Sequence, residues 1–254
     1  TMQPVQQPAA PPNLIPAGAQ VPGLRHEITH GPSFAMLRID LEAGQTVIAE
    51  AGIMVARNQS VGMEAKLNAP RSGGFFAVLK ALLVALIRKF VGGETFVVNH
   101  FTANQQRGSV WVAPPMSGHI VHRRMNGEKL TLSTGAYLAH AGDVELGLRF
   151  GGLSSLLAKE GAFFLEVRGV GDLWFTSYGG IEAVDVNGDF VVDNGHLVGY
   201  EGNLGFSIGT AGGGLMGAVA SGEGLVCRFN GQGRIYLQSR NTSSLVDWLV
   251  PMIG

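Results

Sequence analysis

Three segments of the sequence align with one another without gaps, and this internal repetition limits the folds open to the chain. The segments are GIMVARNQSVGMEAKL from Gly52, GAYLAHAGDVELGLRF from Gly135 and GHLVGYEGNLGFSIGT from Gly195. Four sets of apolar positions coincide: Val55, Leu138 and Val198; Val61, Val144 and Leu204; Met63, Leu146 and Phe206; and Ala65, Leu148 and Ile208. The last three sets alternate at period two, as in a half-buried β-strand. The pattern predicts a β unit in triplicate.

A second block occurs downstream of each segment. The three copies are GSVWVA from Gly108, GDLWFT from Gly171 and GRIYLQ from Gly233. Each copy carries an aromatic residue three positions after its glycine. Two blocks in the same order, three times over, predict a mainly all-β chain built from three repeats. We assign the first β repeat to residues 25–115, the second to 116–178 and the third to 179–240.

Glycine-containing pairs mark the predicted turns within each repeat. Gly142-Asp143 and Gly202-Asn203 are typical of tight hairpins, and Asn126-Gly127 and Asn187-Gly188 are further turn signals. The chain contains 38 glycines, and only 15% of its residues are charged. This composition favours short strands with tight turns over a helical bundle or a disordered chain.

The first repeat contains an enlarged apolar insertion, GGFFAVLKALLVALIRKFVGGE, where the other repeats have short glycine-flanked runs. As a helix over residues 75–91, it would carry one apolar stripe at i, i+3, i+4, i+7 spacing. Our interface or membrane-facing candidates on this stripe are Phe75, Phe76, Leu79, Leu83, Leu86 and Phe90. A bilayer span needs about 20 residues, and Lys80 lies near the middle of this run. We therefore expect a core or subunit interface, or a membrane-surface contact, and no transmembrane helix.

The two ends of the chain differ from the repeats. Residues 1–24 are rich in proline and lack charge, which predicts an extended tail, either solvated or docked on a neighbouring surface. In residues 241–254, Thr242, Ser243 or Ser244 can cap a short helix. Its apolar residues on one side are Leu245, Trp248, Leu249 and Met252. We expect this helix to pack on the β body or on a neighbouring subunit.

Charge and cysteine content limit the partners and the cellular compartment that we expect for the protein. The formal net charge is -1, which gives no general attraction to nucleic acid, and so we expect no nucleic-acid partner. The single cysteine, Cys227, excludes an intramolecular disulfide. The first residues lack the pattern of a secretory signal. We expect a cytoplasmic protein, with peripheral membrane contact left open.

No spacing signature of catalysis or metal binding stands out. The seven histidines do not form a metal-ligand pattern, and no nucleophile elbow is present. Cys227 aligns with Leu165, an inward strand position, and is expected in the core. The basic run His122-Arg123-Arg124 is expected to be a solvated strand end. We therefore expect neither a catalytic residue nor a metal or other cofactor.

Several stretches resemble a known family. They are SGEGLVCRFNGQGRIYLQSRNTSSLVDWLVPMIG, EAGIMVARNQSVGMEAKL and the glycine-flanked apolar insertion. Over about residues 25–254, the chain resembles the bacterial branch of the altered-inheritance-of-mitochondria (mitochondrial biogenesis) family of uncharacterised proteins. The resemblance implies three β repeats similar to the tryptophan RNA-binding attenuator protein (TRAP), which form a shortened double-stranded β-helix and pack with pseudo-threefold symmetry. It implies no RNA-binding role, because a fold does not carry its function with it.

Three functional hypotheses follow. The leading one is a non-enzymatic, self-associating scaffold or binding module, a homo-oligomer with possible membrane contact. The alternative is a small-ligand or RNA sensor that binds in crevices between repeats or subunits. Its candidate ligand residues are Arg57, His140 and Tyr200, which occupy equivalent positions in the three repeats. The third hypothesis is a metalloenzyme whose ligands are brought together only by folding.

Overall fold

The structure is a computed structural model that describes residues 23–67, 97–150, 163–210 and 225–253. Thirteen β-strands and one α-helix cover most of these residues. The strands are β1 Arg25–Thr29, β2 Met36–Leu41, β3 Thr46–Glu50, β4 Met54–Arg57, β5 Val61–Leu67, β6 Val97–Ala103, β7 Gly108–Val112, β8 Ile120–Ser133, β9 Tyr137–Phe150, β10 Phe163–Thr176, β11 Ile181–Asp193, β12 Leu197–Thr210 and β13 Leu225–Gln238, and the helix is α1 Thr242–Ile253. The predicted all-β class is confirmed.

One strand order occurs three times along the chain. β10 lies between β8 and β9, and β13 lies between β11 and β12, always antiparallel. In the first repeat each long strand is divided into two. There β7 lies between β2 and β4, while β6 lies between β3 and β5. The third strand of each repeat therefore pairs with both of the others.

The strands form two sheets, and the larger one passes from one repeat to the next. One sheet has the order β1-β2-β7-β4, and the other has the order β11-β13-β12-β8-β10-β9-β3-β6-β5. β12 of the third repeat pairs with β8 of the second, and β9 of the second pairs with β3 of the first. We call these two contacts junctions. Among the described strands no ladder joins the third repeat to the first, so the sheets stay open.

The glycines predicted to form hairpins lie inside strands. Gly142 and Gly202 are within β9 and β12, with φ of 87° and 92°, and the predicted hairpins are therefore wrong. Each glycine faces a second glycine on the neighbouring strand, as in the Gly142–Gly171 pair. A Cβ on Gly171 would lie 2.0 Å from the carbonyl oxygen of Ala141. The strands bend together here, and the ladder continues because neither glycine carries a side chain.

The core consists of three apolar clusters, one for each repeat. Each junction adds side chains from the following repeat to the cluster of the preceding one. Leu138 and Trp174 of the second repeat pack into the first cluster. Val198 and Tyr236 of the third repeat pack into the second. The junctions are thus continuous with the core, which holds neighbouring repeats rigidly together.

The C-terminal helix forms as predicted, but its apolar residues do not all face the sheets. Leu245 and Leu249 are half-buried, whereas Trp248 and Met252 are 59% and 64% exposed. Within this chain, Trp248 and Met252 are therefore not packed on the sheets, because the helix carries apolar residues around most of its circumference. The helix predicted over residues 75–91, with its six candidate residues, lies outside the described ranges.

Candidate functional site

The junction between the first two repeats is a hydrogen-bonded relay buried in the protein. Here Ile48 and Ala49 of β3 pair with His140 and Ala139 of β9. The hydroxyl of Tyr137 donates to the carbonyl oxygen of Ile48 at 3.1 Å and lies 2.7 Å from Nδ1 of His140. A phenol has one proton, so the Tyr137 oxygen accepts from the Nδ1–H of His140. The relay fixes His140 as a neutral, structural side chain.

Burial sets the protonation of this relay. His140 is only 4% exposed, and desolvation together with the charge of His100 lowers the pKa of its imidazole to about 4. Burial also raises the pKa of Tyr137 well above its ordinary value. Both groups are therefore uncharged at neutral pH, as a closely packed junction requires.

The junction between the second and third repeats is aromatic. Tyr200 of β12 pairs with Thr131 of β8, and its ring stacks on Phe206 with centroids 5.1 Å apart. Phe164 and Phe229 contact the same ring edge-on, at 6.4 and 5.0 Å. Arg149 donates to the Tyr200 hydroxyl at 3.1 Å. Tyr200 is thus a packing residue whose polar end has a partner.

Arg57 occupies the equivalent position in the first repeat but has a different environment. It lies on β4, the outer strand of the four-stranded sheet, and all four residues of that strand are exposed. Its guanidinium donates to the carbonyl oxygen of Val61. The three candidate ligand residues are therefore not brought together. His140 and Tyr200 lie in separate junctions, and Arg57 lies on a free edge.

The basic run at 122–124 is not a solvated strand end. Arg123 donates to Glu201 at 2.6 Å and to the hydroxyl of Tyr236 at 2.9 Å, and its side chain is 14% exposed. Burial would lower the pKa of Arg123, but the hydrogen bond and charge of Glu201 raise it. This ion pair joins β8 of the second repeat to β12 and β13 of the third. The expectation was wrong because the partner lies 78 positions away.

A second buried network surrounds Asp172 of β10. Its carboxylate accepts from the backbone N–H of Leu24 at 2.8 Å, from His122 at 2.9 Å and from Arg124 at 3.0 Å. Burial opposes ionisation, yet the hydrogen bond from His122 and those from Leu24 and Arg124 hold the pKa of Asp172 below its ordinary value. The rings of His26 and His122 are in contact at a tilt of 53°, with centroids 4.1 Å apart. The network attaches β1 to the second repeat.

Sequence reasoning missed both networks. Asp172 aligns with Ser109 and Arg234 in the other copies of its block, so the acid at this position is a departure from the repeat. Glu201 likewise aligns with Ala141. An acidic residue where the other copies carry none was the available signal. The sequence could not show which residue would be its partner.

Few of the described side chains are suited to nucleophilic catalysis or to metal binding. Cys227 lies in the core of the third repeat, and burial raises the pKa of its thiol to about 12. Within the described ranges, no group of three or more His, Cys, Asp or Glu side chains is arranged to hold a metal ion. Among the same residues, no helix has the length and apolar character needed to cross a membrane.

Clefts are found where the second and third repeats meet. One has a volume of about 310 Å³. Its walls include Ser133, Thr134 and Phe164 from the second repeat and Asn194, Gly195 and Gln238 from the third. These groups offer hydroxyl, amide and backbone hydrogen-bonding positions beside one aromatic face.

Comparisons with known proteins place this architecture in a family. The model of the family described as mitochondrial biogenesis AIM24 matches residues 26–240. The chain is 30% identical over 229 residues to an uncharacterised protein of Streptococcus pyogenes serotype M6, covering 89% of this chain and 90% of the relative. The X-ray crystal structure of protein SPYM3_0169 from Streptococcus pyogenes has the same fold, with a TM-score of 0.73 and 27% identity. That alignment covers 90% of this chain and 99% of the other.

The family match extends from β1 to the residues that follow β13, and so it includes all three repeats and both junctions. The expected resemblance to bacterial members of the family is thereby confirmed. The protein belongs to the mitochondrial biogenesis AIM24 family.

Proposed function

We propose that the protein is a non-enzymatic scaffold or binding module that associates with copies of itself. The observation that carries this proposal is the uncovered apolar surface of α1. Four large side chains of this helix are exposed: Val246 by 48%, Trp248 by 59%, Val250 by 60% and Met252 by 64%. Asp247 is its one charged residue. An exposed apolar surface of this kind marks a protein or membrane contact.

Physical reasoning favours a protein partner for this helix. Burying one large apolar side chain stabilises a complex by about 1.5–3 kcal/mol. The helix lacks lysine and arginine, so it has no electrostatic attraction to anionic lipid. Leu245 and Leu249 are half-buried, and Leu245 lines a cleft with His196 and Ser239 of the third repeat, so the helix has an inner and an outer side. A second copy would cover that outer side, and a peripheral membrane contact is the competing outcome.

The double variant Trp248→Ser, Val250→Ser tests the proposal. We expect the mass of the native protein to exceed one chain in light scattering and native mass spectrometry, and the variant to lower it. Val170→Ser is the matched control, because Val170 is 40% exposed on β10, away from the helix. A mass of one chain at every concentration would exclude self-association. Unchanged mass with lost binding to neutral phosphatidylcholine vesicles would assign the helix to membranes.

The 310 Å³ cleft between repeats supports a second candidate, the small-ligand sensor. Such a sensor predicts saturable binding with a rise in melting temperature, because a ligand of the folded state stabilises it by mass action. We expect the substitution Thr134→Leu, at the wall of the cleft, to abolish that rise. A screen of nucleotides and carboxylic acids that leaves the melting temperature unchanged would exclude those ligand classes. The RNA version has weaker support, because Arg123 and Arg124 pair with carboxylates.

A further inference from the structure

We infer that two copies of the chain join head to tail, with β4 of one copy pairing with β11 of the next. This inference rests on the proposed self-association and adds a second pair of surfaces to the α1 surface already described. Both strands lie at open sheet edges, β4 in the four-stranded sheet and β11 in the nine-stranded sheet. An unpaired edge offers a row of backbone donors and acceptors to another strand.

The two internal junctions define what such a contact needs. In each, the beginning of a second strand pairs with the end of the first strand of the preceding repeat. Ala139 opposes Ala49 in one junction, and Gly199 opposes Leu132 in the other. Among the described strands, none pairs with the outer edge of β4 or with that of β11. The chain thus carries the two unmatched halves of a third junction.

The ladders give the register of this missing junction. Ala56 is the counterpart of Ala139 and Gly199 in the gap-free repeat alignment. On the receiving strand, Val192 is the counterpart of Leu132. Leu132 opposes Leu165 and Val192 opposes Cys227, and these two partners are equivalent in the repeats. The inferred junction therefore sets Ala56 of one copy against Val192 of the next. Arg57, one position on, then opposes Val191.

Exposure at these positions shows what the contact would cover. Leu138 and Val198 are fully buried in the cluster of the preceding repeat, but their counterpart Val55 is 55% exposed. On the receiving side Val191 is 53% exposed, whereas its counterpart Thr131 is 1% exposed within a junction.

Around the margin of the third cluster, five apolar residues are only partly buried. They are Val184, Phe190, Leu204, Phe206 and Leu237. Since the first and second clusters receive side chains from the following repeat, the third is complete only if a further copy supplies them. The surfaces on the two ends of the chain are different, so the contact is heterologous and propagates into a ring or a filament.

Disulfide trapping tests the register. One chain carries Arg57→Cys and another carries Val191→Cys, two sites where both native side chains are exposed. The native thiol Cys227 is buried and remains in both chains. After mixing and mild oxidation, we expect a two-chain band on a non-reducing gel for the mixture alone. A chain with both substitutions should give a ladder of higher bands.

The matched control replaces Arg57→Cys by Glu64→Cys, an exposed position on β5. Cross-linking no stronger than with this control, in a protein whose mass exceeds one chain, would overturn the junction and leave the proposed self-association standing. Two-chain bands from either single variant alone would indicate a symmetric contact and also overturn it. A mass of one chain at every concentration would overturn both proposals.

Discussion

At the scale of single residues, Asp172 shows how a buried charge can be tolerated. Its side chain is 3% exposed, yet three donors surround the carboxylate. We expect Asp172→Asn to lower the free energy of unfolding by about 3 kcal/mol, because it removes the buried charge with which the Arg124 guanidinium pairs. Urea denaturation at pH 7 measures the change. The variant should also loosen β1, which loses a charged acceptor for the Leu24 N–H.

The matched control is Asp185→Asn. Asp185 pairs with Arg234 at 2.7 Å, but its side chain is 75% exposed. An exposed ion pair is screened by water and salt, so the urea midpoint should stay close to that of the native protein. Equal midpoints for the two variants would show that the Asp172 network adds no more than a surface pair does.

At the scale of elements, the glycines that interrupt the repeats act as bends within long strands. The Asn-Gly pairs at 126–127 and 187–188 lie inside β8 and β11, although the sequence pattern indicated turns. Gly127 has a φ of 99°, the backbone conformation that a turn residue also adopts. Local sequence therefore predicts the conformation of the residue. Whether the chain reverses there depends on the ladder of the neighbouring strand, which is a long-range property.

Gly171 provides the test of this explanation. We expect Gly171→Ala to destabilise the protein by about 2–3 kcal/mol, because the new Cβ would lie 2.0 Å from the Ala141 carbonyl oxygen and force the strands apart. Gly147→Ala on β9 is the control, since its Cβ would meet the Glu166 carbonyl oxygen at an ordinary 3.8 Å. Thermal unfolding compares the two. Similar melting temperatures would mean that the bend tolerates a side chain.

At the scale of the whole molecule, repetition in the sequence made the β architecture predictable. The matched sets that contain Leu138 and Val198 were visible in the sequence, and the structure shows both residues in junctions. The pairs Arg123–Glu201 and Arg124–Asp172 were not predictable, because they join residues 78 and 48 positions apart in different strands. The exposed side of α1 was also missed. Periodicity gives the apolar residues of a helix but not what surrounds them.

Acid should destabilise the folded chain at the junction between the first and second repeats. The unfolded chain protonates His140 near pH 6.5, but in the folded chain burial delays this protonation to about pH 4. Because the unfolded state then binds more protons, the free energy of unfolding falls as the pH is lowered from about 6.5 to 4, by up to about 3 kcal/mol from this residue. Above pH 6.5 the residue contributes no pH dependence.

The variant His140→Gln isolates this contribution. It cannot titrate, so its unfolding free energy should fall less steeply between pH 6.5 and 4 than that of the native protein. It should also be less stable at pH 7, because the relay to Tyr137 is disturbed. His26 and His100, whose pKa values burial also lowers, remain in both proteins and cancel in the comparison. Parallel curves in urea titrations across this range would show that His140 is protonated equally in the folded and unfolded chains. The junction would then admit water, and the repeats would be less firmly joined than the Tyr137–Ile48 hydrogen bond implies.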